Sequence, residues 1–272
     1  MPIHPTAIVS RKAQIAADAE VGAYSVIEPG VTLESGVRVW HHAFIAQGTH
    51  LGRNCQVHPF AVIGHHPQDL KWNAAPSFTQ IGEATVLREG VAIHRGTMPD
   101  STTKIGARCF FMANSHAGHN CDVADDVTLA NGVLLAGHVQ VGHRAFLSGN
   151  SVVHQFSRIG ELVMIQGGSV VIRDVAPFMM FAWGSVSGLN LVGLKRAGIT
   201  PQERAELRTA YRLLFTGRHT FPRAVAELAQ LVRTDAGERL LAFVQASSRR
   251  GYERLRRRAR FSSDTAMTDA DE

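Results

Sequence analysis

Aliphatic residues recur every six positions from the start of the chain, Ile3, Val9, Ile15, Val21, Ile27 and onward without a miss to Ile63. The same phase returns at Ile81, Leu87, Ile93 and Ile105 and is unbroken from Val123 to Val171, so that 24 of its 29 slots hold Ile, Leu or Val. The fifth residue of each hexad is usually small or β-branched, as at Ala7, Ala13, Ala19, Ser25 and Val31, and both positions are expected to point inward. A period of six fits neither a helix of about 3.6 residues per turn nor a two-residue alternation continued indefinitely; it fits short flat strands separated by bends and coiled into a solenoid. Gly, Asn and Asp near the bends supply the φ values that such turning requires. Two segments interrupt the pattern, residues 65–80 (HHPQDLKWNAAPSFTQ) and 99–104 (PDSTTK). Each preserves the phase, which predicts loops that leave and rejoin a continuous coil, a common place for function on a rigid scaffold.

Beyond Val171 the pattern fades, and the chain changes character near Asn190. Thr200-Pro-Gln-Glu203 reads as a helix start, with Thr as N-cap, Pro at the first helical position and Glu at the third. Apolar spacing predicts helices over 201–215, 221–233 and 235–259. The expected organisation is a mainly β solenoid over 1–189, an α-helical domain over 190–261 and a disordered tail over 262–272.

Composition narrows the function classes. The chain has 272 residues, 45% of them apolar, and can bury a large core. No run of eighteen apolar residues occurs, and the first residues lack the charged and apolar regions of a signal peptide, so a cytoplasmic protein without stable membrane insertion is expected. Cys55, Cys109 and Cys121 are an odd set with no CxxC, and all fall at fifth positions, which makes them small core residues. The net charge of +5 is uneven, with seven arginines between Arg249 and Arg260. This run has few interleaved aromatics and belongs to no nucleic-acid module, so nucleic acid is not an expected partner. It reads as a solvated helix face or a contact for anionic lipid.

If one coil takes eighteen residues, positions eighteen apart share an edge, about 4.8 Å from one another. His119, Gly137 and Gln155 then form one column, Gly118, Ala136 and His154 the next, and Asn120, His138 and Phe156 a third, with His116 nearby. Histidines from three coils meet at one edge. Such a cluster suits polar bend residues, a zinc site built from neutral imidazoles, or general-base catalysis, since an imidazole with a pKa near ~6.5 accepts a hydroxyl proton at neutral pH. A backbone N–H at Gly137 could receive an oxyanion. Spacing alone leaves the last two open.

The ordered motifs HPTAIV, QDLK, IHRGT, SHAGHNC, LAGHV, VHQF and GLKR resemble the UDP-N-acetylglucosamine O-acyltransferases that begin lipid A synthesis, over nearly the whole chain up to about residue 255. The resemblance implies a left-handed parallel β-helix with three hexads per coil, a homotrimer with its cleft between neighbouring β-helices, and no metal or other cofactor. The implied reaction moves an (R)-3-hydroxyacyl chain from the phosphopantetheine of acyl carrier protein to the sugar's 3-hydroxyl. His119 matches the family's general base and Gly137 its oxyanion donor. His116, His138, His154 and Gln155 match residues lining the acceptor and pantetheine cleft, Asp69 and Lys71 match positions that hold the sugar, and Asn190 and Arg196 match nucleotide contacts. Gly167 matches the position limiting acyl length, where glycine implies a long chain rather than a ten-carbon one. Asn120 departs from the family's usual acid beside the base, and Val192 replaces a Glu usual near the nucleotide. Three other readings remain at this level. One is a related enzyme using a 3-amino UDP-sugar; another is a γ-class carbonic anhydrase, which shares the repeat and has a ligand pair spaced like His138 and His143; the third is a non-catalytic scaffold.

Overall fold

The structure, a computed structural model, describes residues 2–216 and 219–253. The hexads coil into three parallel faces of nine, eight and ten strands. The nine-strand face runs from Ile8–Val9 to Val170–Val171, the eight-strand face from Gln14–Ile15 to Arg158–Ile159, and the ten-strand face from Glu20–Val21 to the final antiparallel pair Met179–Ala182 and Ser185–Leu189. This is the left-handed parallel β-helix. Its register carries the eighteen-residue coil directly: Val26 stands beside Phe44, and His116 beside Leu134.

Across the first loop Val62 pairs with Ala92, and across the second Ala92 pairs with His116. The insertions are therefore twelve and six residues, which is why the phase survives both. The first excursion spans 66–77, between strands Val62–His65 and Phe78–Ile81. The second spans 95–101, earlier than the expected 99–104, because Thr103 and Ile105 alternate inward and extend the strand Thr102–Ile105 back into the expected loop. Both excursions leave at the bend between the nine- and eight-strand faces.

The interior is a stack of hexad side chains such as Ile27, Ile45, Ile63, Leu87 and Leu129, each fully enclosed and worth roughly 1.5–3 kcal/mol in transfer free energy. Phe111 and Ala117 fill the two slots without Ile, Leu or Val on the coiled part of the chain. All three cysteines are buried; burial pushes the thiols of Cys55 and Cys109 up to about 11 and that of Cys121 to about 12, so they are inert core groups at neutral pH. At the bends from Tyr24 to Phe60 and from Arg108 to Gly168 every sixth residue adopts the left-handed conformation. Asn54, Asn114, Asn120 and Asn150 do so at φ near 58°, a state that Asn tolerates and bulky residues resist.

Four α-helices follow among the described residues: α1 Leu191–Arg196, α2 Pro201–Tyr211, α3 Phe221–Leu231 and α4 Asp235–Gln245. The capping box expected at Thr200 and Glu203 is present, and α2 continues as a π-helical turn over Arg212–Thr216. α1 was not expected from the apolar spacing, and α4 ends fourteen residues before the expected helix end at 259. Ser248 Oγ accepts from the N–H groups of Arg250 and Gly251, and Gly251 takes φ +70°, a local hydrogen-bonded turn that competes with further helix. The rest of the expected helix, five of the seven arginines and the tail over 262–272 lie outside the described residues. Among the described residues no helix is long and apolar enough to cross a membrane.

The segment after α4 folds back onto the β-helix. Asp174, fully buried, accepts from the Arg158 backbone N–H at 2.8 Å and from Arg158 Nε at 2.7 Å, and Arg158 Nη2 donates to the Tyr252 hydroxyl at 2.8 Å. The guanidinium also lies 4.4 Å from the Phe243 ring centroid. Removing one partner of such a pair leaves a buried charge alone, so Asp174→Ala is expected to lower unfolding free energy by ~3–5 kcal/mol. Urea unfolding followed by circular dichroism reads this directly; a loss under about 1 kcal/mol, the range of an exposed ion pair, would show that the clamp is not holding the two parts together.

Candidate active site

The bend between the nine- and eight-strand faces gathers the histidines. His119 follows the strand His116–Ala117, and the next coil places Gly137 and His138 beside it: the His138 N–H donates to His119 O at 2.9 Å, and the Phe156 N–H to Gly137 O at 3.2 Å. The His119 imidazole lies over Gly137, where a Cβ would come within 2.5 Å of Nε2 and closer still to Cε1. Glycine is required there by the ring, not by its backbone. The Gly137 N–H donates to no described residue.

His119 Nδ1 stands 3.1 Å from Asn120 Oδ1, and Nε2 stands 3.9 Å from Asp69 Oδ2. Asp69 reaches this point from the first excursion, where its other oxygen accepts the Lys71 N–H at 2.9 Å and its carbonyl accepts the Trp72 N–H, a tight turn that leaves Lys71 exposed. The His119 side chain is 13% exposed and that of Asp69 30%, so this is a half-enclosed site open to a ligand.

Two further pairs of rings flank it. His138 packs edge-on to His119 at 5.1 Å and stacks on Phe156 at 4.7 Å, and Arg249 lies 4.8 Å above the Phe156 ring. Burial, helped by His119 and Arg249, lowers the His138 pKa. His116 packs edge-on to His94 at 5.2 Å, and burial, with His94 next in effect, pushes it down to about 4. Burial also lowers His94, whose Nδ1 is 2.5 Å from His66 O. These neutral rings surround a potential base without competing for its charge. His94 was not singled out from sequence, and Arg249 only as the first of the arginine run; His94 lies in the IHRGT motif, and the excursion length that brings it beside His116 could not be read in advance. A hollow of 340 Å³ between Asn120, His138, Phe156 and Arg249 extends the site toward the helices.

His154 and Gln155 share this edge, exposed, one coil above His138. The other expected residues stand elsewhere in the chain. Asn190 caps α1, accepting the Gly193 N–H at 3.0 Å and donating to Leu162 O at 2.9 Å, on the bend between the eight- and ten-strand faces. Arg196 is exposed in the last turn of α1. Gly167 lies on the bend between the ten- and nine-strand faces, where a Cβ would sit 3.2 Å from Gly149 O. His143 contacts Asp125 O and Asp126 at a different bend from His138, so the pair spaced like metal ligands does not converge within the chain. Among the described residues no three His, Cys, Asp or Glu side chains are placed to hold a metal ion together.

An imidazole, a carboxylate near it and a backbone N–H with no partner among the described residues, all within one rung, form an arrangement suited to deprotonating a hydroxyl and receiving the oxyanion of acyl transfer. Comparison with known proteins gives the family. The family model described as UDP-N-acetylglucosamine O-acyltransferase, domain 2, matches residues 174–252. The acyl-[acyl-carrier-protein]–UDP-N-acetylglucosamine O-acyltransferase of Syntrophobacter fumaroxidans is 40% identical over 258 residues, 93% of this chain and 100% of that protein. Its counterpart from Agrobacterium fabrum is 38% identical over 221 residues, 80% and 82% of the two chains. The crystal structure of Francisella novicida UDP-N-acetylglucosamine acyltransferase superposes with a TM-score of 0.90 at 32% identity, covering 93% of this chain and 94% of that one. Fold, edge chemistry and full-length similarity coincide, and the chain belongs to the UDP-N-acetylglucosamine O-acyltransferase family of hexapeptide-repeat enzymes.

Proposed function

We propose that this enzyme transfers an (R)-3-hydroxyacyl chain from acyl carrier protein to the 3-hydroxyl of UDP-N-acetylglucosamine in the cytoplasm, the first step of lipid A synthesis. The observation that carries the reading is the His119 ring lying on Gly137 with Nε2 toward the Asp69 carboxylate. His119 Nε2 takes the proton of the 3-hydroxyl as its oxygen attacks the thioester carbonyl carbon. The Gly137 N–H donates to the developing oxyanion. Collapse of the tetrahedral intermediate breaks the C–S bond, and the imidazolium returns its proton to the departing pantetheine sulfur. Asp69 and Lys71 hold the sugar, with the Asp69 charge also favouring the imidazolium. His116, His138, His154 and Gln155 line the acceptor and pantetheine cleft.

A homotrimer completes the site in this reading. The outer surface of the nine-strand face is apolar, with Leu134 44% and Val170 58% exposed, a surface suited to a second copy and to an acyl chain. Asn190 and Arg196 lie away from His119 in their own chain, so their part in nucleotide binding requires a neighbouring copy; an exposed guanidinium there suits a phosphate. From His116 past Leu134 and Val152 to Val170 is three inter-strand steps, about 14 Å, and Gly167 lies on the coil where that path ends. A long acyl chain follows, and Gly167→Met is expected to shift the preferred donor to a shorter chain.

Incubation with a panel of hydroxyacyl carrier proteins and either UDP-N-acetylglucosamine or its 3-amino analogue, with mass analysis of the products, tests both substrates. The 3-amino sugar is included because Asn120 supplies no charge to the base, and an amine needs less help to attack. An O-acyl product with long donors is expected for the wild type. An N-acyl product alone would reassign the acceptor, and no transfer with saturable sugar binding absent would favour a scaffold.

A further inference from the structure

The three hydrogen bonds at Asn120 determine more than its own position. Its Oδ1 lies 3.0 Å from the Thr97 backbone N, 3.0 Å from Thr97 Oγ1 and 3.1 Å from His119 Nδ1. A backbone N–H can only donate, so the amide atom facing Thr97 is the carbonyl oxygen and not the NH2 group. An amide oxygen can only accept. The ring nitrogen beside it must then bear the hydrogen, and the lone pair is left on Nε2, the atom nearest Asp69 and over Gly137.

From this the geometry points to Thr97 as a positioning residue that selects the reactive tautomer of His119 by locking the orientation of Asn120. Rotating the amide by half a turn would aim NH2 at the ring, move the hydrogen to Nε2 and leave no lone pair toward the substrate. A carboxylate at 120 would present oxygen in either orientation and need no such lock; an amide needs one. The backbone of Asn120 is itself fixed, with its N–H donating to Thr103 Oγ1 at 2.7 Å and φ at 59°. Thr97, in the second excursion, and Thr103, in the strand that follows it, are both buried and hold Asn120 from two sides. An asparagine at this position differs from an aspartate in orientation as well as in charge, and Thr97 supplies the orientation.

The inference rests on His119 being the base, and its test separates the two. Thr97→Pro deletes both donors, the N–H and the hydroxyl, Thr97→Val deletes only the hydroxyl, and each is made in the wild-type background and in the Asn120→Asp background. With Asn120 in place, Thr97→Pro is expected to lower kcat by about tenfold or more, within the ~10²–10⁴-fold reach of general-base catalysis, with KM for the UDP-sugar little changed. Thr97→Val should lose about two- to fivefold, since one of two donors remains. In the Asn120→Asp background both penalties should shrink to within about twofold, a coupling that a merely structural residue would not show. Nitrogen NMR of ¹⁵N-histidine-labelled wild-type enzyme, with His119 assigned by its loss in His119→Ala, should show the hydrogen on Nδ1, and Thr97→Pro should move population to Nε2. A wild-type His119 protonated at Nε2, or equal penalties on both backgrounds, would overturn the proposal even if Thr97→Pro fails to fold. Near-normal turnover in His119→Ala would instead remove the base assignment beneath it.

Discussion

His119→Ala is expected to abolish measurable turnover, a loss of at least the ~10²–10⁴-fold that a positioned general base supplies, while leaving the protein folded. The ring sits at an edge, on a glycine, and the aliphatic stack beneath it is untouched. Stability should change by no more than about 1 kcal/mol, the usual scale for sites outside the core. Steady-state kinetics, calorimetric binding of the UDP-sugar and urea unfolding on one preparation distinguish the cases. Binding and folding retained with turnover lost is the expected result, and turnover within a few-fold of wild type would reject His119 as the base.

Gly137→Ala should come close to the same loss by a different route. Its Cβ would need to occupy space within 2.5 Å of the His119 ring, so the imidazole must swing off the rung and take Nε2 with it. The N–H itself is kept, so the loss comes through the displaced imidazole and not through a deleted donor. No left-handed φ is required at 137, so alanine should fold as well as glycine or slightly better. The double variant with His119→Ala should be hardly worse than His119→Ala alone, because the clash disappears with the ring. Additive losses would mean that Gly137 acts independently of His119.

The six-residue phase made most of the architecture readable, because a coil of eighteen converts spacing into position and the aliphatic slots carry no competing signal. The convergence of His119, Gly137 and His138 followed from that arithmetic alone. What was not readable depended on loops and termini. The length of each excursion decides which coil His94 joins, and nothing in PDSTTK announces that neighbouring Thr97 holds Asn120. Asn190 caps α1, a helix of six residues with Gly193 inside it and too short to show periodicity. The end of α4 was missed because Tyr252 continues the helical apolar spacing, whereas Ser248 and Gly251 form a turn and send Tyr252 to Arg158 instead. At both helix ends a local polar hydrogen bond decides what the periodic pattern cannot.

A structure of the enzyme with UDP-N-acetylglucosamine bound tests the central claim most directly. The sugar is expected at the bend between the nine- and eight-strand faces, its 3-hydroxyl oxygen within hydrogen-bond reach of His119 Nε2, ~2.6–3.2 Å, and beside the Asp69 carboxylate. A sugar seated at another edge, or one whose 3-hydroxyl points away from that nitrogen, would contradict it.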